Sequence, residues 1–270
     1  MSNTMKKVFC CYLDVLGFKQ KLLSKSEIEQ TEIIHSLYPL IILSNPKSLI
    51  SETNKNIKRK NIDLSSINTN SILVSDSIIL WTKNCEYENV IEFIYRIQSL
   101  LRNTFIKGFP LRGAISYGGL FHQEKKLDTF TSYNHFNLIV GNALVSAYEN
   151  EKKFEWMGCT FNSECFEELK KIISLNNPFA SFKTNKIFKE NIVVPYEPSQ
   201  KTGIVETLYT INWLDLIVID YHKKNRIIDF FMGHSNYANL TPEVRKKIDN
   251  TNKYINFIVE NKFVHKPFGM

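Results

Sequence analysis

No CxxC pair, no HxxxH or HxH spacing, no P-loop and no GxSxG elbow occurs in the 270 residues. A zinc site, a Walker-type phosphate loop and a hydrolase nucleophile elbow therefore have no basis in this sequence. Cysteine is sparse and odd in number: Cys10, Cys11, Cys85, Cys159 and Cys165 read as reduced thiols of a cytoplasmic protein, not as a disulfide frame. Long apolar runs are missing too. Residues 33–43 are too few to span a bilayer and include His35 and Pro39. Lys6 and Lys7 imitate the start of a signal peptide, but Asp14 interrupts the apolar run and no small-residue cleavage site follows. Neither an export nor a membrane signal is expected. No internal repeat or low-complexity tract is visible.

What is present is an ordinary globular composition, 43% hydrophobic and 23% charged residues in 31.5 kDa. That is enough for a full core and argues against wholesale disorder. A net charge of +7 and a pI of 9.0 favour anionic ligands. The basic cluster Lys55, Lys58, Arg59 and Lys60 lies in a polar stretch, residues 47–70, without interleaved aromatic side chains. It reads as a solvated loop or insertion; nucleic acid is not an expected partner.

Two apolar runs each carry one aspartate. Residues 9–18 (FCCYLDVLGF) have strand composition with Asp14 inside and Gly17 placed for a tight turn. Residues 71–81 (SILVSDSIILW) read as a β-hairpin or bent strand with Asp76 near its turn. A lone buried carboxylate is expensive unless it is paired, hydrogen-bonded or metal-bound. Two such groups match what hard divalent cations need for phosphoryl transfer. The alternative is structural, one aspartate capping a turn and the other pairing with a core Lys or Arg.

Around these runs the periodicity predicts helices over residues 19–44, capped by Ser26, and over 90–105, 141–153, 163–175 and 242–260. Strands are expected at 111–121, leading into a glycine turn, and at 138–141, 192–194 and 203–213; residues 215–220 fit either state. The order β-α-β-β-α-β over the first part fits a ferredoxin-like α+β sheet. Arg112 is a phosphate ligand or the partner of a core carboxylate. His122 and His222 read as structural or surface residues. Tyr148, Glu149 and Glu151 read as packing or capping their helix.

Taken together, the motifs resemble the class III nucleotide cyclase catalytic domain. Residues 9–18 look like that family's aspartate strand followed by Gly-Phe, and Val74-Ser75-Asp76-Ser77 like the hairpin with its second metal aspartate. Residues 112–118 are similar to its Arg-x-Gly-Ile-x-x-Gly strand, with the first glycine one position earlier. Residues 141–151 occupy the place of its ribose and transition-state helix. The resemblance covers about residues 8–155. It implies a cyclase domain over 1–155 with helices on one side of the sheet and an insertion at about 45–70. An α/β C-terminal extension, 156–270, would pack on that domain.

By the same resemblance, Asp14, Asp76 and the Val15 carbonyl would hold two Mn²⁺ or Mg²⁺ ions. Leu16, Gly17, Phe18 and Arg112 would steady phosphates, and Ile72 and Leu138 stand where purine cyclases place base-reading residues. Departures from the family include Ser75 for glycine, the long gap from Asp14 to Asp76, and Val145 and Glu149 in place of asparagine and arginine. Losing purine-reading groups while keeping the metal aspartates resembles the stand-alone pyrimidine cyclases of bacterial Pycsar anti-phage defence. That implies a homodimer making cyclic UMP or cyclic CMP from UTP or CTP for a separately encoded effector. A decayed nucleotide-binding module and a purine cyclase are the alternatives.

Overall fold

The computed structural model describes residues 4–23, 25–43, 68–129, 132–176, 178, 181–216, 218–220 and 240–265. The basic cluster at 55–60 and His222 lie outside the described residues.

Strand β1 (Lys6–Val15) is apolar on both faces, which makes it a central strand. Phe9, Cys11, Leu13 and Val15 enter the main core, while Val8 and Cys10 enter a smaller cluster. Its neighbours are β3 (Ser77–Thr82) and β4 (Leu111–Thr129), both antiparallel. β2 (Thr69–Val74) pairs with β3 through a two-residue turn, Ser75-Asp76. The spatial order β2-β3-β1-β4, antiparallel throughout, is that of a ferredoxin-like α+β sheet.

Helix α1 (Phe18–Leu23) follows β1 directly. Helix α2 (Glu27–Leu43) opens on a capping box, with Ser26 N–H donating to Glu29 at 2.9 Å. Thus the single helix expected over 19–44 is broken at Ser26. Helix α3 (Tyr87–Ile106) packs Val90, Phe93, Ile97 and Leu101 onto the main face.

β4 continues past Gly118 and Gly119 without the expected turn, and its far half pairs with β5 (Ser132–Val140) as a hairpin. At Gly118 a Cβ would stand 2.6 Å from the Asn142 side chain, so this glycine accommodates the next helix rather than a bend. That helix, α4 (Asn142–Glu151), lies over the smaller cluster of Val8, Cys10, Ile79, Trp81, Leu120 and Ala143.

The same sheet then extends through β6 (Gly158–Phe161), parallel to β4, to β8 (Leu208–Ile211) and β7 (Val193–Tyr196). Helices α5 (Ser163–Asn176) and α6 (Lys186–Lys189) lie between these strands in sequence, and α7 (Pro242–Glu260) closes the described fold. Helices α2, α3, α5 and α7 share one face, as expected; among the described residues α4 is the helix on the other. One apolar core runs from Phe9 to Ile258, so the described residues after 155 share the sheet and core of those before it. Among the described residues no helix is long and apolar enough to cross a membrane.

Candidate active site

Asp14 is half-buried one residue before the end of β1, opposite Ser77 on β3 and Arg112 on β4. Asp76 sits in the β2–β3 turn. The N–H of Val15 donates to the Asp76 carbonyl at 3.0 Å, tying the turn to the end of β1 and bringing Asp76 within electrostatic reach of Asp14. Ser75 takes a left-handed φ of 58° to make that turn. Gly17 (φ 75°) redirects the chain into α1, and its carbonyl accepts from the Lys21 N–H at 3.0 Å. Leu16 and Phe18 are buried. Leu16 has its N–H committed to the Pro110 carbonyl at 2.9 Å, so only Gly17 and Phe18 of these three keep backbone donors for a phosphate role.

Arg112 is buried and already partnered. Its Nε bonds Glu151 Oε1, its Nη1 donates to the Phe154 carbonyl at 2.9 Å, and its Nη2 lies 3.6 Å from Asp14 Oδ2. The guanidinium therefore sits behind Asp14, between two carboxylates. The structure gives it the core-carboxylate pairing among the two readings of this residue. Glu151 was legible in principle: Ala143, Ala147 and Glu151 recur every fourth residue on the buried side of α4, and a carboxylate at apolar spacing needs a partner.

The charge balance leaves Asp14 short of compensation. Burial pushes its carboxyl up to about 6, Glu151 adds to the rise, Arg112 opposes it, Asp76 raises it further and Lys247 opposes it weakly. Glu151 is raised by burial against the pull of Arg112. Beside Asp14 on the same strand, Tyr12 is half-buried and its hydroxyl lies 2.5 Å from Ser77 Oγ. The Tyr12 ring meets Tyr148 edge-on at 5.1 Å.

Sequence reasoning did not single out Lys247 of α7. Met157 N–H donates to Thr251 Oγ1 at 2.9 Å and Asn250 Nδ2 donates to the Glu155 carbonyl at 2.9 Å. These bonds dock α7 on the chain just after Phe154, whose carbonyl holds Arg112. Burial lowers the Lys247 pKa and Arg112 lowers it further, while Asp14 raises it; Lys201 and Glu155 are also within reach.

The base-position residues lie elsewhere on the sheet. Ile72 is half-buried on β2, opposite Ile79, and packs with Tyr12 against the smaller cluster. Leu138 on β5 is exposed. Val145 and Glu149 are both exposed on α4, Glu149 pairing with Lys152 at 3.2 Å. His122 stacks near Trp81, with centroids 4.9 Å apart, and its Nε2 lies 3.0 Å from Asn137 Oδ1, a surface role.

The donor set suits a hard divalent cation. Asp14, Asp76 and the Val15 carbonyl offer only oxygen, and among the described residues no group of three or more His, Cys, Asp or Glu is placed to hold a metal ion by itself. Ions of the Mg²⁺ type bind through one or two carboxylates and complete their shell with water and substrate phosphates. The incompletely neutralised Asp14 fits such an ion.

No protein-family model and no curated protein matches the chain. Among solved structures it is similar to a bacterial light-regulated adenylyl cyclase (10% identity, 84% of this chain and 95% of that one, TM-score 0.44). It is also similar to the adenylyl cyclase CyaB from P. aeruginosa (10%, 78% and 96%, TM-score 0.48) and the guanylyl cyclase Cya2 (10%, 78% and 93%, TM-score 0.38). Likeness at this level is loose in shape and silent on activity.

Proposed function

We propose that this chain is a nucleotide cyclase of the class III type that acts on a pyrimidine nucleoside triphosphate. UTP or CTP would give the 3′,5′-cyclic monophosphate and pyrophosphate. The observation that carries the reading is the bond from Val15 N–H to the Asp76 carbonyl. It ties the turn that carries Asp76 to the end of β1, where the two carboxylates are within electrostatic reach of each other. Asp14, Asp76 and the Val15 carbonyl would hold two Mn²⁺ or Mg²⁺ ions, which supply acidification of the ribose 3′-hydroxyl and charge neutralisation for the departing pyrophosphate.

The chain's own residues perform the positioning. Arg112, braced by Glu151 and the Phe154 carbonyl, holds Asp14 from behind. The backbone at Gly17 and Phe18 faces the phosphates. Ile72 and Leu138 offer an apolar surface where a purine-specific site needs hydrogen-bonding groups, and their loss removes the contacts by which such a site prefers a purine. Exposed Leu138, Val140, Val145 and Tyr148 on β5 and α4 support a homodimer built across that surface. The cyclic product would serve a separately encoded effector in anti-phage defence.

A second reading is a nucleotide-binding module without catalysis, favoured by the exposed Val145 and Glu149 where the family carries its transition-state pair. Purified protein with Mn²⁺ and each of the four NTPs, analysed for cyclic products, decides between them. A pyrimidine product abolished by Asp76→Ala supports the cyclase. Product from ATP or GTP alone overturns the base preference. Tight nucleotide binding without product from any NTP gives the binding module.

A further inference from the structure

A nucleotide site needs cations for its polyphosphate, and the guanidinium nearest the aspartates is occupied. Arg112 spends its Nε on Glu151 and its Nη1 on the Phe154 carbonyl, with Asp14 beyond. A half-buried cation brought to the same place without an ion pair is Lys247. Among the described residues its ammonium makes no ion pair or hydrogen bond. It is nevertheless half-buried and within electrostatic reach of Asp14, Arg112, Lys201, Glu155 and, one turn earlier on its own helix, the exposed Glu243. A desolvated ammonium without a partner is unfavourable in the free protein unless a ligand completes it.

Its placement is not incidental to a mobile surface. Lys247 lies one turn before Thr251, whose hydroxyl donates to the Lys247 carbonyl at 2.7 Å and accepts from the Met157 N–H at 2.9 Å. Ile248, Tyr254, Ile255 and Ile258 bury the helix in the main core. The adjacent Lys246 is bound by Glu155 and lies on the exposed side. Of these two neighbouring lysines, one neutralises a local carboxylate and the other is held at the site unpaired.

We propose that α7 is a working part of the nucleotide site and that Lys247 binds the β- and γ-phosphates of the substrate. The proposal rests on the cyclase or nucleotide-binding reading for the identity of the ligand, but its test does not require turnover. Lysine suits the task as a mobile point charge that follows a phosphate without the fork geometry that arginine imposes. The region after residue 155 then supplies a substrate ligand as well as strands of the sheet.

The test is calorimetric binding of inorganic tripolyphosphate, with Mn²⁺, to the full chain and to Lys247→Ala, Lys247→Arg and Lys246→Ala. Lys247→Ala should weaken binding about tenfold or more, equivalent to about 1.4 kcal/mol. Lys247→Arg should recover most of the affinity, and Lys246→Ala should change it less than threefold. In turnover assays Lys247→Ala should raise KM more than it lowers kcat, with no loss of Tm. Unaltered tripolyphosphate affinity in Lys247→Ala, or no binding by the wild type, overturns the proposal. Tripolyphosphate binding that depends on Lys247 without cyclic product from any NTP keeps the proposal and removes the cyclase reading. Cyclic product with Lys247→Ala indistinguishable from wild type does the reverse.

Discussion

Val15 donates its N–H to the carbonyl oxygen of Asp76 at 3.0 Å, and this one backbone bond fixes the β2–β3 turn against the end of β1. The bond does not depend on side-chain identity. Either carboxylate can therefore be replaced without losing the frame that presents the other, which makes single substitutions at Asp14 and Asp76 interpretable.

The turn itself carries a local cost. Ser75 occupies φ 58°, a region where a Cβ is disfavoured by about 1 kcal/mol and where glycine is at ease. Ser75→Gly should leave metal and nucleotide binding unchanged and stabilise the fold by about 0.5–1 kcal/mol. Ser75→Val should destabilise it by about 1–2 kcal/mol. Urea denaturation of both variants measures this, and a destabilised Ser75→Gly would show that the serine hydroxyl matters more than the backbone.

Asp14 gives stability a pH dependence of definite sign. Burial, then Glu151, push its carboxyl from 3.8 to about 6. Above pH 6 the folded state holds a charge that the unfolded chain carries more easily. As pH falls from 6 towards 3.8 the folded state takes up a proton that the unfolded state does not, so this group's penalty is relieved across that window. Asp14→Asn should therefore stabilise the metal-free protein by roughly 1–3 kcal/mol at pH 7.5 and by little at pH 4. Denaturation curves at the two pH values check it; an equal gain at both would show that packing, not charge, is responsible. Mn²⁺ binding competes with the same proton, so wild-type affinity should fall below pH 6.

Arg112 and Glu151 form a buried pair, each holding a charge that the other makes tolerable. Removing one partner leaves an uncompensated buried charge, a loss of about 3–5 kcal/mol. Arg112→Met and Glu151→Leu should each approach that value, while the double variant should cost much less than their sum. A double-mutant cycle by urea unfolding reads the coupling, and simple additivity would mean that the pair contributes nothing beyond its members.

The strands and the aspartates were legible in the sequence for one physical reason. An acid inside an apolar run is conspicuous, and the apolar run of residues 9–18 gave both the strand and its burial. The helix at 242–260 was legible from its apolar spacing and from Thr241-Pro242, which supplies a cap and a proline at its start. Gly118-Gly119 misled, because glycine signals a turn in sequence, whereas here it makes room for Asn142. That Glu151 needs a partner was legible from its helix face. Its pairing with Arg112, and that of the Phe154 carbonyl, were hidden, since some forty residues separate them and only tertiary structure joins them. Lys247 was harder still: one lysine in a helix that also carries Lys246 and Lys253 announces no site until α7 is docked.

The proposed homodimer makes the last prediction. Val145 and Tyr148 on α4, with Leu138 and Val140 on β5, present apolar side chains to solvent in one stretch of chain leading from strand to helix. Val145 is 59% exposed, so replacing it removes little packing within the subunit. Val145→Asp should change folding stability by less than about 0.5 kcal/mol. In an interface it would place an unpaired charge against an apolar surface, at a cost of several kcal/mol and a loss of association. Sedimentation at micromolar concentration should show a wild-type dimer and a folded Val145→Asp monomer. If each site is completed by the facing subunit, the monomer should retain Mn²⁺ binding at Asp14 and Asp76 while losing cyclic product. A wild type that sediments as a monomer, or an active monomeric variant, would place the whole site within one chain.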